Sequence, residues 1–294
     1  LFRSDSSVGR RHGTRDGVPH RHALRPPTSN PRESIGASCR APFRVTESHE
    51  TQALREPLDV LAVMAHPDDA ELLCGGALIK SASRAQRVGV IDLTAGEMGS
   101  SGSASIRGQE ADRASKIMGL VERRCLRLPD AALQNDNESR HLLVEHLRAL
   151  RPRIVVTHWP VGRHRDHRIA AELVRDACFL SALKKLDVEG EPFRPMKLVY
   201  ATAFREDASP PNFVIDVTDH VDSKLEAISA YSSQFEDATK GGEVLPGGDR
   251  PLAEQIRMQL AHYGSLIRVP YGEPFRIVEA LEVEDLTILN VSTF

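Results

Sequence analysis

The stretch Ala65-His66-Pro67-Asp68-Asp69-Ala70-Glu71 crowds one imidazole and three carboxylates into a single turn. Histidine is a frequent zinc ligand and a carboxylate oxygen is an acceptable second one, while a neighbouring carboxylate left off the metal can act as general base. A metal site usually needs a third protein ligand, and a second dense cluster offers candidates at Gly162-Arg163-His164-Arg165-Asp166-His167. His164 and His167 are three residues apart, so at a helix entrance they share one face, with Asp166 able to orient an imidazole. Three protein ligands and one open position for water define a catalytic zinc rather than a structural one. Bound zinc brings the pKa of water from about 15.7 to about 7, roughly 12 kcal/mol of help in forming hydroxide. Asp68 would then take the proton released by the attacking water, and an imidazole outside the ligand set would stabilise the oxyanion.

Simpler readings exist for both clusters. Asp68 or Asp69 could merely cap a helix, but one acid suffices for that, and Pro67 already removes a backbone donor from the turn. His164 and His167 could be surface histidines in a basic stretch that includes Arg163, Arg165 and Arg168.

The elements around the clusters favour chemistry. Each cluster follows an apolar run, Val60-Leu61-Ala62-Val63-Met64 or Ile154-Val155-Val156, and so leaves a predicted strand end. In α/β sheets such ends open onto the ligand crevice. Periodicity predicts a strand over 58–64, a helix from about Glu71 in which Gly75-Gly76 allow close packing, and a strand over 88–93. A glycine- and serine-rich loop, Thr94 to Ser103, leads to a helix over 106–118 with Arg107 and Glu110 in its first turn. A strand over 124–128, a helix over 138–150, a strand over 153–157 and a helix reaching about Leu183 follow. Strands over 197–203 and 213–217, a helix over 218–234 capped by Thr218 or Asp219, and a last strand over 275–281 complete the reading. The βαβ repetition predicts an α/β fold, Rossmann-like, with a mostly parallel sheet, right-handed crossovers and helices on both faces. No G-x-G-x-x-G follows the first strand, and the carboxylates there would repel a pyrophosphate. The loop over 94–103 could cradle an anion through its N–H groups or act as a mobile lid over the site.

With 294 residues, 40% apolar and 27% charged, the chain can build one large α/β domain. A net charge of −3 gives no reason to expect nucleic acid, and no apolar run reaches the length of a membrane span. Cys39, Cys74, Cys125 and Cys178 are scattered without a C-x-x-C pair, which fits a reducing cytoplasm, with Cys74 a small buried hydrophobe. Residues 1–56 stand apart: ten Arg, no Lys and six acids give them +4 and leave −7 on the rest. They read as a disordered Arg-rich extension before a domain over 57–294. The first methionine, Met64, lies inside the predicted first strand, so the extension is expected to be a mis-extended start or a plain tail rather than a targeting signal. His146 shares a helical stripe with Leu142, Leu143 and Leu147 and reads as a helix-flank residue, and His158 as support for the crevice floor.

The two His/Asp clusters together resemble the zinc-dependent N-acetylglucosamine deacetylases of the PIG-L/LmbE-like superfamily. Thr94-Ala95-Gly96-Glu97-Met98-Gly99-Ser100 with Arg107 and Glu110, Ala230-Tyr231-Ser232-Ser233-Gln234-Phe235, and Tyr263-Gly264 with Tyr271-Gly272-Glu273-Pro274-Phe275 are similar to the bacillithiol-pathway branch, which removes acetate from N-acetylglucosaminyl-L-malate. The resemblance covers residues 58–283. It implies His66, Asp69 and His167 as ligands of one zinc ion and Asp68 as general base. It implies His164, supported by Asp166, as stabiliser of the tetrahedral intermediate, and Arg107 as a substrate-binding residue. It also implies a small GlcNAc conjugate as substrate and a homo-oligomer. The family commonly has proline where this chain has Arg165. Two alternatives stay open: a deacetylase for another GlcNAc conjugate, such as the mycothiol precursor or a chitin disaccharide, and a noncatalytic sugar- or metal-binding module.

Overall fold

Leu61 and Val63 of β1 (Val60–Met64) point into one apolar core, and Ala62 and Met64 into another. A strand buried on both faces belongs inside a parallel sheet. β2 (Val88–Thr94) follows the same rule and is buried at every position. The computed structural model describes residues 56–99, 101–202, 210–235 and 250–288, all within the compact unit Glu47–Phe294. Apart from Glu56, the extension expected over 1–56 lies outside the described residues.

The other strands are β3 (Glu122–Leu128), β4 (Ile154–His158), β5 (Lys197–Ala201), β6 (Phe213–Asp216) and β7 (Gly272–Arg276). Together the seven run in the order β3-β2-β1-β4-β5-β7-β6. β1 to β5 are parallel, and β7 pairs antiparallel with both β5 and β6. Helices α1 (Asp69–Ser83), α2 (Ala104–Met118), α5 (Val221–Ser229) and α7 (Leu252–Ser265) pack on the core that holds Met64. α3 (Asn137–Leu150) and α4 (Arg165–Leu180) pack on the core that holds Val63. The α/β fold is therefore as expected, a mostly parallel sheet with helices on both faces. From β1 the chain winds outward through β2 to β3, and from β4 it winds the other way to β5. β1 and β4 are neighbours, so the crevice at their carboxyl ends is a switch point, where ligands of such sheets bind.

Local chemistry sets most helix ends. Asp136 caps α3 by accepting from Ser139 N at 2.9 Å, and Ser103 caps α2 by accepting from Ile106 N at 3.3 Å. Three expectations differ from the structure. The last strand is Gly272–Arg276 rather than 275–281, because a Gly-Glu-Pro run that reads as a turn is held between β5 and β6, while Asn212 exchanges two hydrogen bonds with Ile277. The helix over 218–234 is divided: a 3-10 turn (Thr218–His220), α5, a break at Ala230-Tyr231, then α6 (Ser232–Phe235). Thr218 bonds to Asp216 instead of capping α5. Helix α7 has no counterpart among the expected elements, although Leu252, Ile256 and Leu260 recur every fourth residue and all are buried.

The close packing expected at Gly75-Gly76 is realised at Gly76, where a Cβ would meet Val217 Cβ at 2.9 Å. At this step of α1 an ion pair enters the helical ladder. Lys224 Nζ donates to Leu72 O at 2.7 Å and to Glu273 Oε1 at 2.6 Å. Glu273 in turn accepts from the N–H groups of Gly76 at 2.8 Å and Ala77 at 2.7 Å, which a regular ladder would pair with Leu72 and Leu73. Both side chains are fully buried, so the pair bolts α1 to α5 and β7.

Candidate metal centre

Pro67 stops β1 from continuing, and the turn that results places Asp68 at the N-cap of α1 with φ 104°. A non-glycine residue there costs about 1–3 kcal/mol, a strain that persists only where the surroundings hold it. The Asp68 side chain makes no capping bond; it meets the Arg107 guanidinium at 2.8 Å. The simple-cap reading of Asp68 therefore fails. Burial pushes its carboxyl up to about 7, against the pull of Arg107 in the other direction.

Asp69 is the hub. Its Oδ2 lies 3.2 Å from His66 Nδ1 and its Oδ1 lies 3.2 Å from His167 Nε2, so strand end β1 and helix α4 meet on one carboxylate. Burial opposes ionisation of Asp69, but the histidines His167 and His158 outweigh it and hold the carboxyl well below its usual range. Three imidazoles stack beside it: His158 on His167 at 4.1 Å between centroids, and His167 on His164 at 4.2 Å. Candidate ion-binding groups among the described residues are His66, His164 and His167, then Asp69, His158 and His167, then His66, Asp130 and Asp166. His158 has its Nε2 lone pair occupied, since it accepts from Ala65 N at 2.9 Å. That bond ties β4 to β1 and agrees with His158 as crevice floor. Burial, with the His167 charge, pulls its pKa down to about 4.

In the sequence Asp130 is only the residue after a strand, yet it faces the other side of His66: His66 Nε2 lies 3.1 Å from Asp130 Oδ1. A carboxylate on Nε2 fixes the proton there and leaves Nδ1 free to ligate. The His66 hydrogen bond lowers the Asp130 pKa to about 2, with help from Met98 N–H. The available signal is the one that marks the other clusters, an acid at a strand end. Asp130→Asn is expected to lower divalent-metal affinity about 10–100-fold, measured by chelator competition; unchanged affinity would mean that Asp130 does not orient His66.

Asp166 is fully buried, but the structure brings it to His66 Nε2 (3.8 Å) and to Arg165 Nη1 (2.8 Å) rather than to His164. Among the described residues His164 Nδ1 is buried without a hydrogen-bond partner, and so is Asp166 Oδ2. Arg165, the departure from the family's proline, thus occupies one oxygen of Asp166. Burial, with the charges of His167 and His66, lowers the His164 pKa.

The loop expected as an anion cradle or lid is fastened along its described residues. Met98 N donates to Asp130 Oδ2 at 2.9 Å, Glu97 accepts from Asp130 N at 2.9 Å, and Gln234 Nε2 donates to Ser101 O at 2.7 Å. Glu110, fully buried, accepts from Ser233 N at 2.8 Å and so caps the start of α6. Tyr231 is part of the core; its hydroxyl donates to Glu71 at 3.1 Å. His146 bonds Arg124 on the flank of α3, and Cys74 is buried, as expected.

A mostly parallel sheet thus carries, at its switch point, a His/Asp cluster with the donors of a metal centre. The PIG-L family profile, described as GlcNAc-PI de-N-acetylase, matches residues 61–178. The chain is 30% identical over 202 residues to a probable N-acetyl-alpha-D-glucosaminyl L-malate deacetylase 2 of Bacillus anthracis, covering 63% of this chain and 84% of that one. It is 28% identical over 239 residues to a diacetylchitobiose deacetylase of Thermococcus kodakarensis, covering 76% and 84%. The crystal structure of the conserved protein TT1542 from Thermus thermophilus superposes with a TM-score of 0.68 at 36% identity, covering 77% and 98%. The chain belongs to the PIG-L family: it is a deacetylase acting on GlcNAc conjugates, a hydrolase of N-acetyl groups. Among the described residues no helix is long and apolar enough to cross a membrane.

Proposed function

We propose that the chain uses zinc to remove acetate from N-acetylglucosaminyl-L-malate. The observation that carries the chemistry is the meeting of His66 and His167 on Asp69 with Asp68 beside them. The likeness to the Bacillus anthracis relative, with the motifs around Gly96, Arg107 and Tyr231, supports the malate conjugate. Two imidazoles and one carboxylate suit zinc, and such a set also accepts other divalent ions. His66 through Nδ1, Asp69, and His167 through Nε2 would hold the ion, each imidazole nitrogen lying 3.2 Å from an oxygen of Asp69, whereas His158 has its Nε2 committed to Ala65 N–H. Zinc held there supplies Lewis acidity toward the amide carbonyl and toward water.

The chain's own groups do the rest. Asp68 accepts a proton on its carboxylate as water attacks and returns it to the amine that leaves. His164, stacked on His167 and edge-on to His66 at 4.9 Å, faces the cluster and hydrogen-bonds the oxygen that gains charge. Asp130 holds His66 in its tautomer.

The test is acetate release by the zinc-loaded full chain from N-acetylglucosaminyl-malate, diacetylchitobiose and N-acetylglucosaminyl-inositol in parallel. Highest kcat/KM on the malate conjugate is the expected result. Preference for either other amide would keep the chemistry and overturn the aglycone; binding without release from all three would make the crevice a noncatalytic module.

A further inference from the structure

The run Tyr231-Ser232-Ser233-Gln234, which the proposed chemistry leaves unused, makes three sets of long-range contacts. The Tyr231 hydroxyl donates to Glu71 in the first turn of α1. Glu110 of α2 accepts from Ser233 N at 2.8 Å, from Ser233 Oγ at 2.7 Å and from Ser232 Oγ at 3.3 Å. Tyr231, Glu71 and Glu110 are all fully buried, so the start of α6 is fixed against both helices. Gln234 then spends both hydrogens of its amide, on Ser101 O at 2.7 Å and on Ser233 Oγ at 3.0 Å. The chain passes α6 so closely that at Gly102, with φ 77°, a Cβ would stand 2.7 Å from Ser233 Oγ.

Back along the loop from Ser101, Glu97 and Met98 clasp Asp130 with two bonds of opposite sense. Asp130 N donates to Glu97 Oε1 at 2.9 Å, and Met98 N donates to Asp130 Oδ2 at 2.9 Å. The other oxygen, Oδ1, is left for His66 Nε2 at 3.1 Å. At its start the loop is held by α2, since Arg107 Nη1 donates to Gly96 O at 3.2 Å. Arg107 and Glu110 are neighbours on one helix face. Helix α2 therefore grips the loop twice, directly at Gly96 and through Ser233 and Gln234 at Ser101. The clasp on Asp130 lies between the two grips. A loop tethered at one end only would let Glu97 and Met98 part from Asp130.

We propose that Gln234 is a positioning residue: with Ser233 and Glu110 it latches the loop so that Glu97 and Met98 hold Asp130 in the orientation from which its carboxylate fixes His66. This rests on His66 being a metal ligand and Asp130 its orienting partner.

The test begins with the metal-free full chain. Gln234→Glu keeps the shape of the side chain and removes both donors. It is expected to speed hydrogen exchange at the Met98 and Asp130 amides about three- to tenfold, the effect of losing one or two hydrogen bonds, with the amides of β1 unchanged. Zinc affinity, measured by chelator competition, is expected to fall about three- to tenfold in this variant, and to fall no further when Asp130 is already Asn. Gly102→Ala, which keeps Gln234 and crowds Ser233, is expected to give the same result and serves if Gln234→Glu does not fold. Unchanged exchange at Met98 and Asp130 would overturn the proposal. So would faster exchange with zinc affinity unaltered, or an equal loss of affinity in the Asp130→Asn background. A wild type that binds no zinc would sink the reading of the centre, while exchange at Met98 and Asp130 still decides whether the latch exists.

Discussion

Asp68→Asn is expected to lower kcat about 10²–10⁴-fold while the purified protein still binds one zinc per chain. The substitution keeps the size of the side chain and an oxygen for Arg107 Nη2, whose distance to Asp68 Oδ2 is 2.8 Å, and removes the capacity to accept a proton. Asp68 has no contact with His167 like the 3.2 Å approach that Asp69 makes, so metal content should be spared. Steady-state kinetics with zinc measured by atomic absorption separates the outcomes. Near-normal kcat would remove Asp68 from the mechanism; lost zinc would place it among the ligands instead.

The second large effect concerns stability. Lys224→Met leaves the Glu273 carboxylate buried with only the Gly76 and Ala77 N–H groups, at 2.8 and 2.7 Å, as partners. Breaking one side of a buried pair costs about 3–5 kcal/mol. The double replacement Lys224→Met with Glu273→Leu should cost less than Lys224→Met alone, because it removes the stranded charge and lets α1 close its ladder across Gly76. Urea unfolding monitored by circular dichroism checks both. A single mutant within about 1 kcal/mol of wild type would mean that the bolt contributes little.

How far the sequence can be read follows from the range of the interactions. The His66 turn, the His164 cluster and the parallel sheet are legible because each is written locally, in short apolar runs, a proline and charges at strand ends. The end of the α5 segment is not. Tyr231, at its break, donates its hydroxyl to Glu71, 160 residues earlier in the chain, and α6 takes its cap from Glu110, 123 residues before Ser233. Likewise β7 reads as a turn until β5 and β6 flank it. In the site, the residue types are plain and their partners are not: Asp166 approaches His66, 100 residues earlier, while its other oxygen takes Arg165. Helix α7 alone carries a local signal, its every-fourth-residue stripe, that the expected elements leave out.

The bond between Ala65 N and His158 Nε2 spans 93 residues. A ribosome that has just delivered the His66 turn has therefore made only half of the centre, and β2, α2, β3 and α3 must all emerge before β4 can slot beside β1. Until residue 167 has been added, a nascent chain lacks the imidazole that reaches the second oxygen of Asp69. The meeting of His66 and His167 on Asp69 is thereby deferred to the moment the middle of the sheet closes, and a chain truncated anywhere before that point carries the first motif without its counterpart.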